Sequence, residues 1–238
     1  MVNQAQEKIS IIIAAYNEEG NIGNTIKRVR AVLPEAEIVV VDDGSSDGTL
    51  REARDAGDDS VIVIASPANK GKGYAIRSGI DAASGTIMAQ IDADLQFPAE
   101  GLPELFTPIR EGKADIVFGS RYLDAATIRN IERGSVTFLK RAASYVVAAI
   151  VSIICRQRYT DVFAGFKAWK ADTIRDLDLQ ENGFSYEAEI AIKAHKNGHT
   201  VIEVPTRYSK RISGESKIKF LYHTFSVAKN IFKIAFFN

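Results

Sequence analysis

A chain of 238 residues suits one α/β domain and is short for two. With 46% hydrophobic and 25% charged residues it can bury a core without disulfides or structural metals, which excludes a disordered chain or a disulfide scaffold. The formal net charge is zero but unevenly spread: residues 1–124 carry 12 basic and 20 acidic side chains and residues 125–238 carry 18 and 10, net −8 and +8. An acidic half suits a metal, and a basic half suits phosphates.

No apolar stretch precedes Lys8, so no secretory leader of the usual build is expected. The one cysteine, Cys155, cannot form an intrachain disulfide, and a cytoplasmic setting is the expectation. From the N-terminus, a β-branched run predicts a strand over 9–14, helical period predicts a helix over 20–33, and a second strand over 37–41 ends in acids. The pattern repeats with a helix over 49–56, a strand over 60–65, a helix over 72–83, a strand over 86–91, a helix over 98–111 and a strand over 116–118. Such alternation predicts an α/β fold with a mostly parallel sheet and helices on both faces.

Further on, residues 142–155 form a charge-free run flanked by Lys140, Arg141, Arg156 and Arg158. As a helix it rises about 21 Å, too little for a hydrocarbon core of about 30 Å, so a buried core helix is favoured over an interfacial one. In the segment 217–238, Ile218, Leu221, Phe225, Ala228, Phe232 and Ala235 recur at helical spacing among Lys217, Lys219, Lys229 and Lys233. This predicts an amphipathic cationic C-terminal helix beyond a catalytic domain over 1–216, packed on its own domain or docked on a membrane surface.

In parallel sheets ligands bind beyond the carboxyl ends of the strands, so the loops there carry the functional expectation. They hold Tyr16-Asn17-Glu18-Glu19, Asp42-Asp43-Gly44-Ser45-Ser46-Asp47 and Asp92-Ala93-Asp94-Leu95-Gln96. Asp92 and Asp94 offer two hard oxygen ligands to one divalent cation that bridges to a diphosphate, although an isolated Asp-x-Asp is more often a solvated turn. Asp42 and Asp43 suit the hydroxyls or base of a nucleotide, while Asp47 is placed to cap the next helix. In Asn69-Lys70-Gly71-Lys72-Gly73, the glycines and the helix that follows favour an anion. The Walker and Rossmann glycine spacings are both absent, against ATPase and dehydrogenase chemistry. His195 and His199 flank Gly198 and, with His223, are expected at the surface rather than on a metal. Trp169 is expected in the core, and no basic–aromatic repeat points to nucleic acid.

Taken in order, Ala15-Tyr16-Asn17-Glu18, Val41 to Thr49, Asp92 to Gln96, Gly119-Ser120-Arg121-Tyr122, Asp161 to Lys167, Phe184 to Glu187, Glu203-Val204-Pro205 and Arg211 to Lys217 resemble glycosyltransferase family 2, in its polyprenyl-phosphate (dolichyl-phosphate) branch. The resemblance spans about residues 9 to 219 and implies the GT-A nucleotide-diphospho-sugar transferase fold. It implies that Ala14, Tyr16, Glu18, Val41, Asp43 and Lys72 hold the nucleotide-sugar donor together with Asp92, Ala93 and Gln96. Asp92, Asp94 and Gln96 then form the Mn2+ or Mg2+ site. Arg121, Arg211, Ser216 and Lys217 meet the donor and acceptor phosphates, with Asp94, Arg121, Arg211 and Lys217 the catalytic set. One further family arginine falls on Arg133, Lys140 or Arg141, and spacing does not choose among them. Ala14-Ala15 and Phe163-Ala164 depart mildly from the family pattern.

The implied reaction is inverting transfer of a hexose from a nucleotide-sugar to dolichyl or polyprenyl phosphate, with GDP-mannose the first choice and UDP-glucose or UDP-GlcNAc next. An acceptor phosphate is already ionised at neutral pH, so Glu187 is expected to position groups rather than act as a base. Membrane-surface association at the cytoplasmic face, directly or through an anchor subunit, is part of the same expectation. The alternatives are a glycan hydroxyl acceptor, a nucleotidyltransferase, or a non-catalytic module; the last would have lost Asp92, Asp94, Arg211 or Lys217, all of which are present.

Overall fold

A computed structural model describes residues 7–129, 131, 134–210 and 229–236. Alternating strands and helices follow from the N-terminus as β1 (Ile9–Ala15), α1 (Ile22–Val32), β2 (Glu37–Asp42), α2 (Thr49–Ala56), β3 (Val61–Ala65), α3 (Lys72–Ala82) and β4 (Ile87–Gln90). A 3-10 turn at Ala99–Gly101 leads into α4 (Leu102–Arg110), then β5 (Ile116–Ser120), α5 (Ala125–Arg129) and α6 (Phe138–Cys155). The chain continues through β6 (Lys167–Lys170), α7 (Ala171–Asp176), α8 (Tyr186–Lys196) and β7 (Val201–Pro205), with a helical segment over 229–236.

One seven-stranded sheet has the order β3-β2-β1-β4-β6-β5-β7. Its pairs are parallel except where β6 runs antiparallel between β4 and β5. Every element predicted up to residue 118 is present within a few residues of its expected ends. Alternation along the strands sorts the core into two layers. Ile12, Val39, Met88, Phe118 and Trp169 point to one face, beneath α3, α6, α7 and α8. Ile11, Ile13, Val40, Ala89 and Ala168 point to the other, beneath α1, α2 and α4. Both faces of the sheet are therefore covered, as the sequence led one to expect.

One expectation changes, and of two alternatives left open the structure shows one. The helix over 138–155 is not a core helix: Val147, Ala148, Val151 and Cys155 are buried, but Phe138, Leu139, Val146 and Ile153 face outward. The charge-free run masked a two-faced helix, because hydropathy is blind to the side from which the core approaches. At the C-terminus, Ile231 and Ile234 enter the core layer beneath α3, α6, α7 and α8, Asn230 donates to Glu181 and Ser185, and Lys196 donates to the Ile234 carbonyl. Residues 229–236 thus pack on their own domain, with Phe232 and Phe236 exposed. The expected start of that helix, at 217, lies outside the described residues.

Candidate active site

Strands β2, β1 and β4 are neighbours and parallel, so their carboxyl ends bring the three acidic loops to one edge. The first two loops are laced together. Asn17 accepts from the Ser46 amide at 2.8 Å, the Glu18 amide donates to Thr49 Oγ1 at 2.7 Å, and Glu19 accepts from the Gly48 amide at 3.0 Å. Asp47, expected to cap α2, stands one residue before the N-cap Gly48 and accepts from the Thr49 amide at 3.0 Å, which satisfies the first amide of the helix.

Asp43 is buried and accepts from the Lys70 and Gly71 amides at 2.9 and 2.7 Å. Burial raises its pKa, and these two amides oppose the rise. The next turn is closed from the other side, where the Gly73 and Tyr74 amides donate to the Asn182 carbonyl at 2.7 and 3.2 Å. Gly71 has φ of 106°, a backbone open to glycine, and a Cβ on Gly73 would overlap the Glu181 carbonyl. The glycines therefore serve close packing of protein on protein. Four amides around the expected anion cradle at the start of α3, those of Lys70, Gly71, Gly73 and Tyr74, already have carboxylate and carbonyl partners.

Lys72 instead reaches the acid pair. Its ammonium lies 2.7 Å from Asp92 Oδ1 and 3.4 Å from Glu187 Oε1. Burial alone would lower the Lys72 pKa, but Asp92, Tyr186 and Glu187 raise it well above the usual lysine value. Burial raises the Asp92 pKa, Lys72 opposes that rise, and the neighbouring Asp94 charge adds to it. Asp94 is buried and accepts from the Gln96 amide at 3.1 Å, while the Gln96 side chain donates to the Ser209 carbonyl at 3.2 Å. Gly165 faces the Asp92 carboxylate so closely that a Cβ there would overlap both oxygens.

This donor set fits a divalent cation in a limited way. Two adjacent carboxylates, Asp92 and Asp94, are the hard ligands present, with space kept beside Asp92 by Gly165. Among the described residues no group of three or more His, Cys, Asp or Glu is arranged to hold a metal, so most of a coordination shell would come from diphosphate oxygens and water. Gln96, expected among the ligands, turns its amide nitrogen to Ser209, leaving its carbonyl oxygen as the only donor it could offer.

Beneath the acids lies a buried charge network that sequence reasoning missed. Lys167, fully buried, donates to the Val162 carbonyl at 3.0 Å, to the Ala164 carbonyl and to Glu187 Oε2, and sits over the Phe118 ring. Burial lowers its pKa, against the pull of Glu187. Glu187 Oε1 accepts from the Tyr186 hydroxyl at 2.5 Å and from Gln90 at 3.3 Å. A lone lysine between Phe166 and Ala168-Trp169, in an otherwise apolar block, was the available signal.

Arg121 follows β5 and forms a bidentate pair with Asp161, at 2.6 Å from Nε and 2.8 Å from Nη2, with its guanidinium near the Tyr208, Tyr122 and Phe97 rings. Its fork toward Asp161 is thus occupied, and the Nη1 edge is what it can offer a phosphate. Arg141 lies over the Tyr122 ring, which places it nearer this loop than its position in sequence indicated. Tyr16 is part-exposed at the site edge, and Glu18 accepts from Asn21 at 2.8 Å. Val41 is fully buried with its side chain in the core layer, so in this structure it is not presented to a base as the resemblance implied. Ala14 lies within the β1–β2 ladder, and Ala93 is buried with its carbonyl accepting from Thr25 at 2.9 Å. Arg133, Arg211, Ser216 and Lys217 lie outside the described residues. His199 pairs with Asp176 at the surface and Trp169 is buried, both as expected.

The family model described as "Glycosyl transferase family 2" matches residues 10–169. The chain is 30% identical to an undecaprenyl-phosphate mannosyltransferase of Micrococcus luteus, over 89% of this chain and 87% of that protein. It is 34% identical to a dolichol-phosphate mannosyltransferase of Pyrococcus furiosus, over 89% of this chain and 59% of that protein. It is 30% identical to a polyprenol monophosphomannose synthase of Mycolicibacterium smegmatis, over 89% and 81%. In fold it is similar to glucosyl-3-phosphoglycerate synthase of Mycobacterium tuberculosis, solved with Mn2+ and uridine diphosphate, with a TM-score of 0.72, 19% identity and coverage of 97% of this chain and 79% of that one. With three acidic loops at the carboxyl edge of such a sheet, and a family match over most of the strands, this chain belongs to glycosyltransferase family 2 and is a glycosyltransferase.

Proposed function

We propose that this protein transfers a hexose, inverting its anomeric centre, from a nucleotide-sugar to a polyprenyl or dolichyl phosphate at the cytoplasmic face of a membrane, with GDP-mannose the first donor to test. The relatives named above support the acceptor class. The observation that carries the choice within this structure is the state of Glu187. Its two oxygens accept from Tyr186, Gln90 and Lys167 and pair with Lys72. So engaged, it is poorly placed to take a proton from a sugar hydroxyl, whereas a phosphate acceptor arrives ionised and needs no base.

In this reading Asp43, Tyr16 and Glu18 bound the nucleoside end of the donor, and Lys72 lies beside its diphosphate. Asp92 and Asp94 would hold Mn2+ or Mg2+, which supplies positive charge to the departing diphosphate. Arg121 offers its Nη1 edge, and Arg211, Ser216, Lys217 and Arg133 are proposed for the acceptor phosphate. Fixed cations are needed because one anion must approach another in line.

The test is transfer of labelled sugar to a short polyprenyl phosphate with Mn2+ or Mg2+, using GDP-mannose, UDP-glucose and UDP-GlcNAc in parallel. A lipid-linked product from one donor identifies donor and acceptor class together. Donor binding without lipid-linked product from any would overturn the phosphate acceptor in favour of a hydroxyl.

A further inference from the structure

Helix α6 carries an apolar face that no other described element covers. Of the nine large hydrophobic side chains exposed among the described residues, five are on this helix: Phe138 at 87%, Ile153 at 78%, Val146 at 56%, Leu139 at 55% and Tyr145. Leu139, Val146 and Ile153 are spaced seven apart, and Phe138 and Tyr145 likewise, so they form one stripe. Val147, Ala148, Val151 and Cys155 form the opposite stripe and are built into the core.

The charge around the stripe is of one sign. Lys140 and Arg141 stand in the first turn, Arg156 and Arg158 follow the last, and no Asp or Glu occurs between residues 133 and 160. A second copy laid antiparallel on this stripe would oppose cations to cations. Crossing a bilayer is also disfavoured: eighteen residues rise about 27 Å against a hydrocarbon core of about 30 Å, and leaving the domain would expose the four core residues.

We infer that α6 lies flat in the surface of a bilayer containing anionic phospholipid, with the Phe138–Val146–Ile153 stripe in the acyl boundary and the flanking cations among the headgroups. The helix is joined to the active edge, since the Tyr145 and Tyr122 rings are 5.1 Å apart and Tyr122 follows Arg121. Docking on this face holds that edge against the membrane, where a lipid-borne acceptor would be met; this last step rests on the polyprenyl-phosphate reading, and the docking does not.

The experiment uses the full chain, with the C-terminal segment intact, and the double variant Phe138→Gln/Ile153→Gln. Sedimentation is measured with vesicles of phosphatidylcholine alone and with about one third phosphatidylglycerol. The expected result is binding to the anionic vesicles that falls at least about tenfold in the variant, at unchanged melting temperature, because both side chains are exposed. Lys140→Gln/Arg158→Gln is expected to weaken the same binding and make it less sensitive to salt. Equal binding by wild type and Phe138→Gln/Ile153→Gln, equal binding to both vesicle types, or a wild-type dimer that this variant makes monomeric would each overturn the proposal. Vesicle binding lost in the variant while the wild type transfers to no polyprenyl phosphate would uphold the docking and remove the acceptor assignment.

Discussion

Lys72 Nζ stands 2.7 Å from Asp92 Oδ1 and 3.4 Å from Glu187 Oε1, so one side chain of the glycine-rich loop ties the acid pair at the site edge to the buried Lys167–Glu187 pair. The site edge and the interior are one electrostatic unit, and substitutions in either should register in the other.

Asp94→Ala is expected to abolish metal-dependent donor binding and to reduce turnover at least about a hundredfold. Its hydrogen bond to the Gln96 amide contributes about 1 kcal/mol to stability, so the fold should persist. Calorimetric titration of donor with and without Mn2+, beside a thermal melt, checks both halves. Donor binding that still responds to Mn2+ would remove Asp94 from the metal site.

Gly165→Ala tests the space beside Asp92 without removing any charge. An added Cβ must displace the Asp92 carboxylate, so we expect kcat/KM to fall at least about tenfold and Mn2+ affinity to fall with it. Electron paramagnetic resonance of free Mn2+ reports the affinity independently of turnover, and an unchanged value would mean that Asp92 moves at no cost.

For the buried pair, Lys167→Met and Glu187→Gln are each expected to lower stability by about 3 to 5 kcal/mol, since each leaves a charge without its partner. The double variant should lose less than the sum of the two. Urea denaturation of all four proteins gives the coupling, and strict additivity would mean that the two side chains do not act as a pair.

Arg211→Ala is expected to slow transfer more than it weakens donor binding, if the residue meets the acceptor phosphate. Steady-state kinetics with donor and acceptor varied separately decide this. Equal losses in both would move Arg211 to the donor side.

Burial pushes the Cys155 thiol up from an ordinary value of 9.0 to about 11. An acid with a raised folded pKa holds its proton longer when folded, so above pH 9 the unfolded chain ionises first and stability falls as pH rises toward 11. The expected loss is on the order of 2 kcal/mol across that window and should be absent in Cys155→Ala. Urea midpoints between pH 7 and 11 measure it, and thiol reagents at pH 8 should label the protein only after unfolding.

What the sequence determined by itself was local or periodic. The β-branched runs at Ile9–Ala15 and Glu37–Asp42, the helices between them and the acids directly after each strand were legible because strand period and turn chemistry act over a few residues. Once parallel order was recognised, the meeting of Asp43, Asp92 and Asp94 at one edge followed from topology. The tertiary structure alone decided which partners the polar groups found. That the Gly71 and Gly73 amides serve Asp43 and Asn182, that Lys167 reaches Glu187 twenty residues away, and that Arg121 turns to Asp161 are contacts between distant segments, for which no local pattern is required. The two faces of α6 belong to the same class, because the charge-free run within it acquires an inside only when α8 packs against one side, leaving Phe138 and Ile153 to the solvent side.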